Sequence, residues 1–102
     1  MKLRAGLRLQ SATCLTQVIV VRAPKDADVD LRCGGQPLLE IGSTDPKVPI
    51  AEGFATATLL GKRYADDELG LELLCTVAGE GGLSLGDTPL EVKGAKPLPS
   101  SD

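Results

Sequence analysis

Breaks rich in glycine and proline recur roughly every 8–12 residues along this chain and leave only short segments between them. The chain has 102 residues, among them 12 glycines and 7 prolines. Turn signals at this spacing are typical of small all-β domains, and the length allows only one hydrophobic core. The sequence therefore predicts a small all-β single domain that is barrel- or sandwich-like.

Several segments alternate apolar and polar residues with a period of two, which indicates strands with one solvated face. Residues 2–10 and 29–33 alternate in this way, and residues 69–77 show the clearest pattern. Residues 16–22 are β-branched with an apolar centre, which predicts a strand buried on both faces. A helix over residues 66–77 is the alternative there, but its glycine and β-branched residues count against it.

The second half of the chain also predicts short extended pieces. Residues 56–60 are extended by composition, and residues 90–93 alternate as a final strand. Gly86 and Asp87 stand where a two-residue hairpin loop is expected.

We expect one domain over residues 1–95, made of a first half at 1–42 and a hairpin-rich half at 54–95. Residues 42–53 hold two glycines and two prolines and predict a long connection. The end of the chain, residues 96–102, is predicted to be a flexible tail.

Histidine and tryptophan are absent from the chain, and Phe54 and Tyr64 are its only aromatic residues. Without histidine there is no Ser-His-Asp triad, no Cys-His dyad and no histidine-ligated metal site. No nucleophile has a visible activating partner, so the sequence predicts a protein that is not an enzyme.

Charge is distributed unevenly, since five of the eleven basic residues and none of the fourteen acidic ones lie in residues 1–25. This segment is either a basic strand pair facing an acidic remainder or a docking patch for an acidic partner. Nucleic acid is an unlikely partner because the aromatic residues that stack on bases are nearly missing.

No apolar run approaches the length of a membrane span, and no apolar segment follows the basic N-terminus as in a signal peptide. We therefore expect a cytoplasmic protein without a membrane partner. Three cysteines in a reducing compartment are not expected to form a structural disulfide.

Residues 9–42 resemble the desulforedoxin and desulfoferrodoxin N-terminal module, which is rubredoxin-like. In that family a strand leads to Cys-x-x-Cys-Gly, and a later Cys-Cys-Gly-x-Pro-Met turn completes a four-thiolate iron site. Here Cys14 and Cys33 match two of the ligands, while Ser11 and Gly34 stand where the other two would be. The resemblance thus implies a β-knuckle in the first half of the chain whose metal site is lost or altered. The family's superoxide-reducing activity uses a histidine-rich iron site, so it is not available to a chain without histidine.

Cys75 lies in the alternating segment 69–77 and offers a third thiol. If that strand folds over the knuckle, Cys14, Cys33 and Cys75 could bind one zinc or iron ion, with Ser11 or a carboxylate as a further ligand. Alternatively, all three are core or turn residues, because free cysteine is among the most buried residue types. A redox-active or nucleophilic thiol is the third alternative.

Three other acidic or glycine-rich motifs predict ordinary loops. Asp26, Asp28 and Asp30 alternate like the start of a calcium loop but lack the glycine and final glutamate that such a loop needs. Residues 66–68 are predicted to be an exposed acidic turn. Residues 79–82 are rich in glycine but lack the lysine and helix start of a phosphate loop.

Two functions follow from these observations. The first is a non-catalytic accessory or interaction protein that binds a protein partner or itself, without a cofactor. The alternative is a small metalloprotein that holds zinc or iron through its cysteine thiolates.

Overall fold

A computed structural model describes residues 2–25, 28–44 and 46–92. These residues form ten short β-strands and contain no helix. In chain order the strands are β1 Arg8–Gln10, β2 Gln17–Arg22, β3 Leu31–Cys33, β4 Gln36–Pro37, β5 Leu39–Glu40, β6 Arg63–Asp66, β7 Leu71–Val77, β8 Leu83–Leu85, β9 Thr88–Pro89 and β10 Glu91–Val92. The protein is therefore all-β, and the alternative of a helix over 66–77 is wrong.

The strands form two antiparallel sheets. The larger has the order β10-β6-β7-β2-β1-β5 and the smaller the order β4-β3-β8-β9. At the centre of the larger sheet β2 pairs with β7, from Gln17 opposite Val77 to Arg22 opposite Glu72, so strands from both halves of the chain share one sheet. The sheets do not close into a barrel, and the arrangement is consistent with the sandwich-like alternative.

The core between the strands is almost entirely aliphatic. Leu9, Val18 and Leu73 are fully buried on the larger sheet, and Leu31 lies in the smaller one. Tyr64 is buried as well, and its hydroxyl accepts a hydrogen bond from the backbone N–H of Leu59 (2.9 Å). That bond satisfies the one polar atom of the side chain, which allows the ring to fill the core.

The first strand is shorter than the alternation over residues 2–10 predicts. Only Arg8–Gln10 pairs as a strand, while Lys2 makes an isolated bridge with Asp28. Gly6 separates the two pieces with a φ of 90°, a backbone conformation that glycine adopts without steric cost. Leu3, Leu7 and Leu9 are buried as the alternation predicts, but Ala5, at the turn, is exposed.

Residues 56–60 were expected to be extended, but their pairing is limited to an isolated bridge between Thr58 and Gly79. The strand begins later, at Arg63, where β6 pairs with β7. Gly61, with a φ of 78°, lies in the turn that separates the two segments.

The C-terminal segment changes sheets. Gly86 and Asp87 form the predicted two-residue loop between β8 and β9. Within the strand expected at 90–93, only Glu91–Val92 pair, as β10 in the larger sheet, directly after β9 has paired in the smaller one, and residue 93 lies outside the described residues. The tail predicted at 96–102 lies outside the described residues. Within the described residues, no helix has the length and apolar character that crossing a membrane requires.

Candidate functional site

A tight turn connects β1 to β2 and carries the first cysteine. The N–H of Ser11 donates to the carbonyl of Thr16 (2.9 Å), which closes the turn at its base. The Ser11 Oγ is fully buried and accepts hydrogen bonds from the N–H groups of Thr13 (3.0 Å) and Cys14 (3.1 Å). Five polar groups are thereby satisfied within six residues, so the turn presents Cys14 and Leu15 in a fixed conformation.

The sulfur of Cys14 has three hydrogen-bond partners. Its Sγ lies 3.2 Å from Thr16 Oγ1 and 3.4 Å from Ser11 Oγ, and the N–H of Gly81 donates to it at 3.3 Å. Partial burial raises the pKa of the Cys14 thiol, but the bonds from Ser11, Thr16 and Gly81 outweigh it and lower the pKa to about 6. Donors aimed at the sulfur favour the thiolate, because they stabilise its negative charge.

The second cysteine lies on the other side of the same glycine. The Cys33 thiol is fully buried and donates to the carbonyl of Gly81 (3.6 Å). Burial raises the pKa of Cys33 to about 11, although the nearby Ser11 and Thr16 hydroxyls lower it in part, and the charge of Cys14 raises it further. The two thiols are therefore expected in opposite protonation states at neutral pH.

The third cysteine is less directly connected to this cluster. Cys75 is buried on β7, and its thiol donates to the carbonyl of Val77 (3.2 Å). Burial raises the pKa of Cys75, and the charge of Cys14 also raises it. All three cysteines carry free thiols.

The glycine-rich segment 79–82 is the element that makes this packing possible. A Cβ at Gly79 would lie 2.6 Å from the backbone nitrogen of Thr16 and 2.9 Å from the Cys14 sulfur. A Cβ at Gly81 would lie 3.0 Å from backbone atoms of Gly34. This segment was predicted to be an ordinary turn, and its role in the site was missed. Its density of glycine was the available signal, because close backbone approach is one reason for glycine.

Of the four positions compared with the desulforedoxin pattern, Ser11 contacts the Cys14 sulfur, and Cys14 and Cys33 both contact Gly81. Gly34 is close as well, because a Cβ there would collide with the hydroxyl of Thr13. Within residues 2–25, 28–44 and 46–92, however, no three cysteine or carboxylate side chains are placed to hold a metal ion. Zinc or iron binding by Cys14, Cys33 and Cys75 stays a prediction.

A cleft of about 380 Å³ opens beside the Cys14 turn. Its lining residues are Thr13, Cys14, Leu15, Ile50, Gly79 and Glu80. Ile50 comes from the long connection, which is fastened to the turn where the Lys47 ammonium donates to the Ser11 carbonyl (2.6 Å). The least buried of the three thiols therefore faces a space that admits a small molecule.

Exposed apolar side chains occur in the segments that adjoin the Cys14 turn. Leu15, at the turn tip, is 72% exposed, and Leu60 is 66% exposed. Leu59 and Leu60 directly follow Thr58, which bridges Gly79 beside the Cys14 turn, and Val77 pairs with Gln17 just beyond that turn. Leu59, Leu60, Val77 and Leu15 together are called the apolar end below.

The acidic motifs have ordinary structural roles. Asp30 forms an ion pair with Arg32 (2.9 Å), and Asp66 accepts hydrogen bonds from the N–H groups of Glu68 (3.0 Å) and Leu69 (3.2 Å). Asp66 thus stabilises the predicted acidic turn. Asp26 lies outside the described residues.

Searches against protein-family models, curated proteins and solved structures found no match for this chain.

Proposed function

We propose that the protein is a non-catalytic interaction protein whose docking surface is the apolar end, and that the occupant of this surface is a second copy of the chain. The observation that carries the proposal is Leu15, an apolar side chain held in solvent by a rigid turn. The turn is fixed at its base by the Ser11–Thr16 backbone bond and internally by the Ser11 hydroxyl. Apolar side chains fixed before binding lose little conformational entropy when a partner covers them.

Charge at the rim supports a second copy as the occupant. Exposed Lys62 follows Leu59 and Leu60, and exposed Glu80 follows the segment that contains Val77. In the proposed two-fold dimer, Lys62 of one copy pairs with Glu80 of the other, and the symmetry makes this contact twice. Leucines would occupy the centre of such an interface, and the two charge pairs would form its polar rim.

The composition of the core supports the same proposal. A small domain with an aliphatic core and a single buried tyrosine gains apolar burial when it associates. The free thiols fit a cytoplasmic location, where association rather than a disulfide would add stability.

Sedimentation velocity over a concentration series tests the proposal. We expect the wild-type chain to sediment as a dimer, and the Leu15→Asp and Leu60→Asp variants to sediment as monomers. Leu69→Asp is the matched control, because Leu69 is also exposed but lies in the turn before β7, away from the apolar end. A wild-type chain that stays monomeric up to about 1 mM, the limit of a very weak contact, would refute self-association and indicate a different protein as occupant.

A further inference from the structure

Two thiols approach the two backbone polar groups of one residue in this fold. The N–H of Gly81 donates to Cys14 Sγ at 3.3 Å, and the carbonyl of Gly81 accepts from the Cys33 thiol at 3.6 Å. The backbone around Cys33 is held against the turn, since Thr13 Oγ1 donates to the Cys33 carbonyl (3.3 Å).

The two cysteines differ in the way that a nucleophile differs from a resolving thiol. Cys14 is partly exposed, lines the 380 Å³ cleft and has three hydrogen-bond partners at its sulfur. Cys33 is fully buried and does not line the cleft. A thiolate beside open space reacts with oxidants, whereas a buried neutral thiol does not react until a sulfur partner is presented to it.

We propose that Cys14 and Cys33 are a redox pair, in which Cys14 reduces a hydroperoxide that enters the cleft and Cys33 then closes a disulfide with it. Cys33 rather than Cys75 is the partner, because Cys14 and Cys33 contact the same residue, Gly81, whereas the Cys75 thiol donates to Val77. The proposal does not depend on self-association.

The reaction takes place in two steps. The Cys14 thiolate attacks one oxygen of hydrogen peroxide, the O–O bond breaks, and the leaving hydroxide takes up a proton and departs as water. Cys14 is then a sulfenic acid. The Cys33 thiol loses its proton and attacks the Cys14 sulfur, so that the S–O bond breaks and a second water departs. Two thiols have lost two electrons, and one peroxide has become two waters. A small cellular thiol reverses the change by thiol–disulfide exchange.

Glycine at position 79 also keeps the Cys14 sulfur accessible. A Cβ at this position would lie 2.9 Å from the Cys14 sulfur, and both residues line the cleft. Glycine therefore leaves the sulfur open to a small oxidant while the Gly81 N–H still reaches it.

Intact-mass measurement of the full chain treated with one equivalent of hydrogen peroxide tests the proposal. We expect a loss of about 2 Da, which is two hydrogens, and its reversal by dithiothreitol. Peptide mapping should place the disulfide between Cys14 and Cys33. The Cys33→Ser variant should instead gain about 16 Da and react with dimedone at Cys14. The Cys75→Ser variant is the matched control and should behave as the wild type.

Three results would refute the proposal that Cys14 and Cys33 form a redox pair. They are an unchanged mass, a Cys14–Cys75 disulfide, and a wild type in which Cys14 accumulates as sulfenic or sulfonic acid without the 2 Da loss. The mapping uses the wild-type chain, so the conclusion stands even if Cys33→Ser does not fold. The Leu60→Asp variant, designed as a monomer, should form the same disulfide, which separates this test from that of self-association.

Discussion

The exposed guanidinium of Arg63 on β6 lies 3.1 Å from the almost completely buried carboxylate of Glu72 on β7. Both residues belong to the β6–β7 pair, where Ala65 is opposite Glu72. A buried carboxylate is costly unless it is hydrogen-bonded or paired, so this contact contributes to the stability of the larger sheet.

Replacing Arg63 should therefore destabilise the fold. We expect Arg63→Ala to lower the free energy of unfolding by about 1–3 kcal/mol, because a charge-assisted bond to a buried carboxylate is lost. Arg63→Lys keeps the charge and should lose less. Urea denaturation measures both, and equal stability of Arg63→Ala and the wild type would show that the contact contributes nothing.

A methyl group at Gly79 should be poorly tolerated. We expect Gly79→Ala to cost about 1–3 kcal/mol, since the added Cβ meets the backbone nitrogen of Thr16, which cannot move without opening the turn. Gly82 offers a comparison, because an added Cβ there would collide with the side-chain hydroxyl of Thr56. Gly82→Ala should be rescued by Thr56→Ala in thermal unfolding, whereas Thr16→Ala should not rescue Gly79→Ala.

The pH dependence of alkylation should report the Cys14 environment. Because its pKa is lowered to about 6, the thiolate fraction should already be high at neutral pH and fall only as the pH drops through about 6. The rate of iodoacetamide reaction at Cys14, followed by mass spectrometry, should show that midpoint. In Thr16→Val one hydrogen bond is lost and the midpoint should move upward. A wild-type midpoint near 9 would contradict the assigned contacts.

Metal analysis distinguishes the two functions expected from the sequence. If the protein is an interaction protein without a cofactor, the untagged protein should contain far less than one zinc or iron ion per chain. A ratio near one that falls in Cys75→Ser would favour a small metalloprotein instead, since it would require Cys75 to act as a ligand. A thiol count with and without chelator provides the independent check.

Much of the fold was predictable because burial imposes a period of two on each strand. The β2 run and the alternation of Leu71, Leu73 and Cys75 indicated strands that the structure confirms. The predictions failed where strand pairing, rather than the local residue pattern, determines the structure. Leu90 follows the same alternation as its neighbours, yet the chain changes sheets there, and nothing local to the sequence specifies that.

The candidate site was predictable only in part. Comparison with a known pattern placed Ser11, Cys14 and Cys33 together, as the structure has them, but the hydroxyl of Thr16 and the N–H of Gly81 were not foreseen. Gly81 is 67 positions from Cys14, and contacts at that separation depend on the topology of both sheets.

The pairing of Gln17 with Val77 has a consequence for how the chain is made. At ordinary ribosomal speeds, roughly 3–12 s separate the synthesis of these two positions. During that interval β2, the most apolar strand of the nascent chain, has no β7 beside it, and its backbone offers an open template to other unfinished polypeptides. A chaperone that shields Val18 and Val20 until Val77 emerges should therefore raise the yield of native protein.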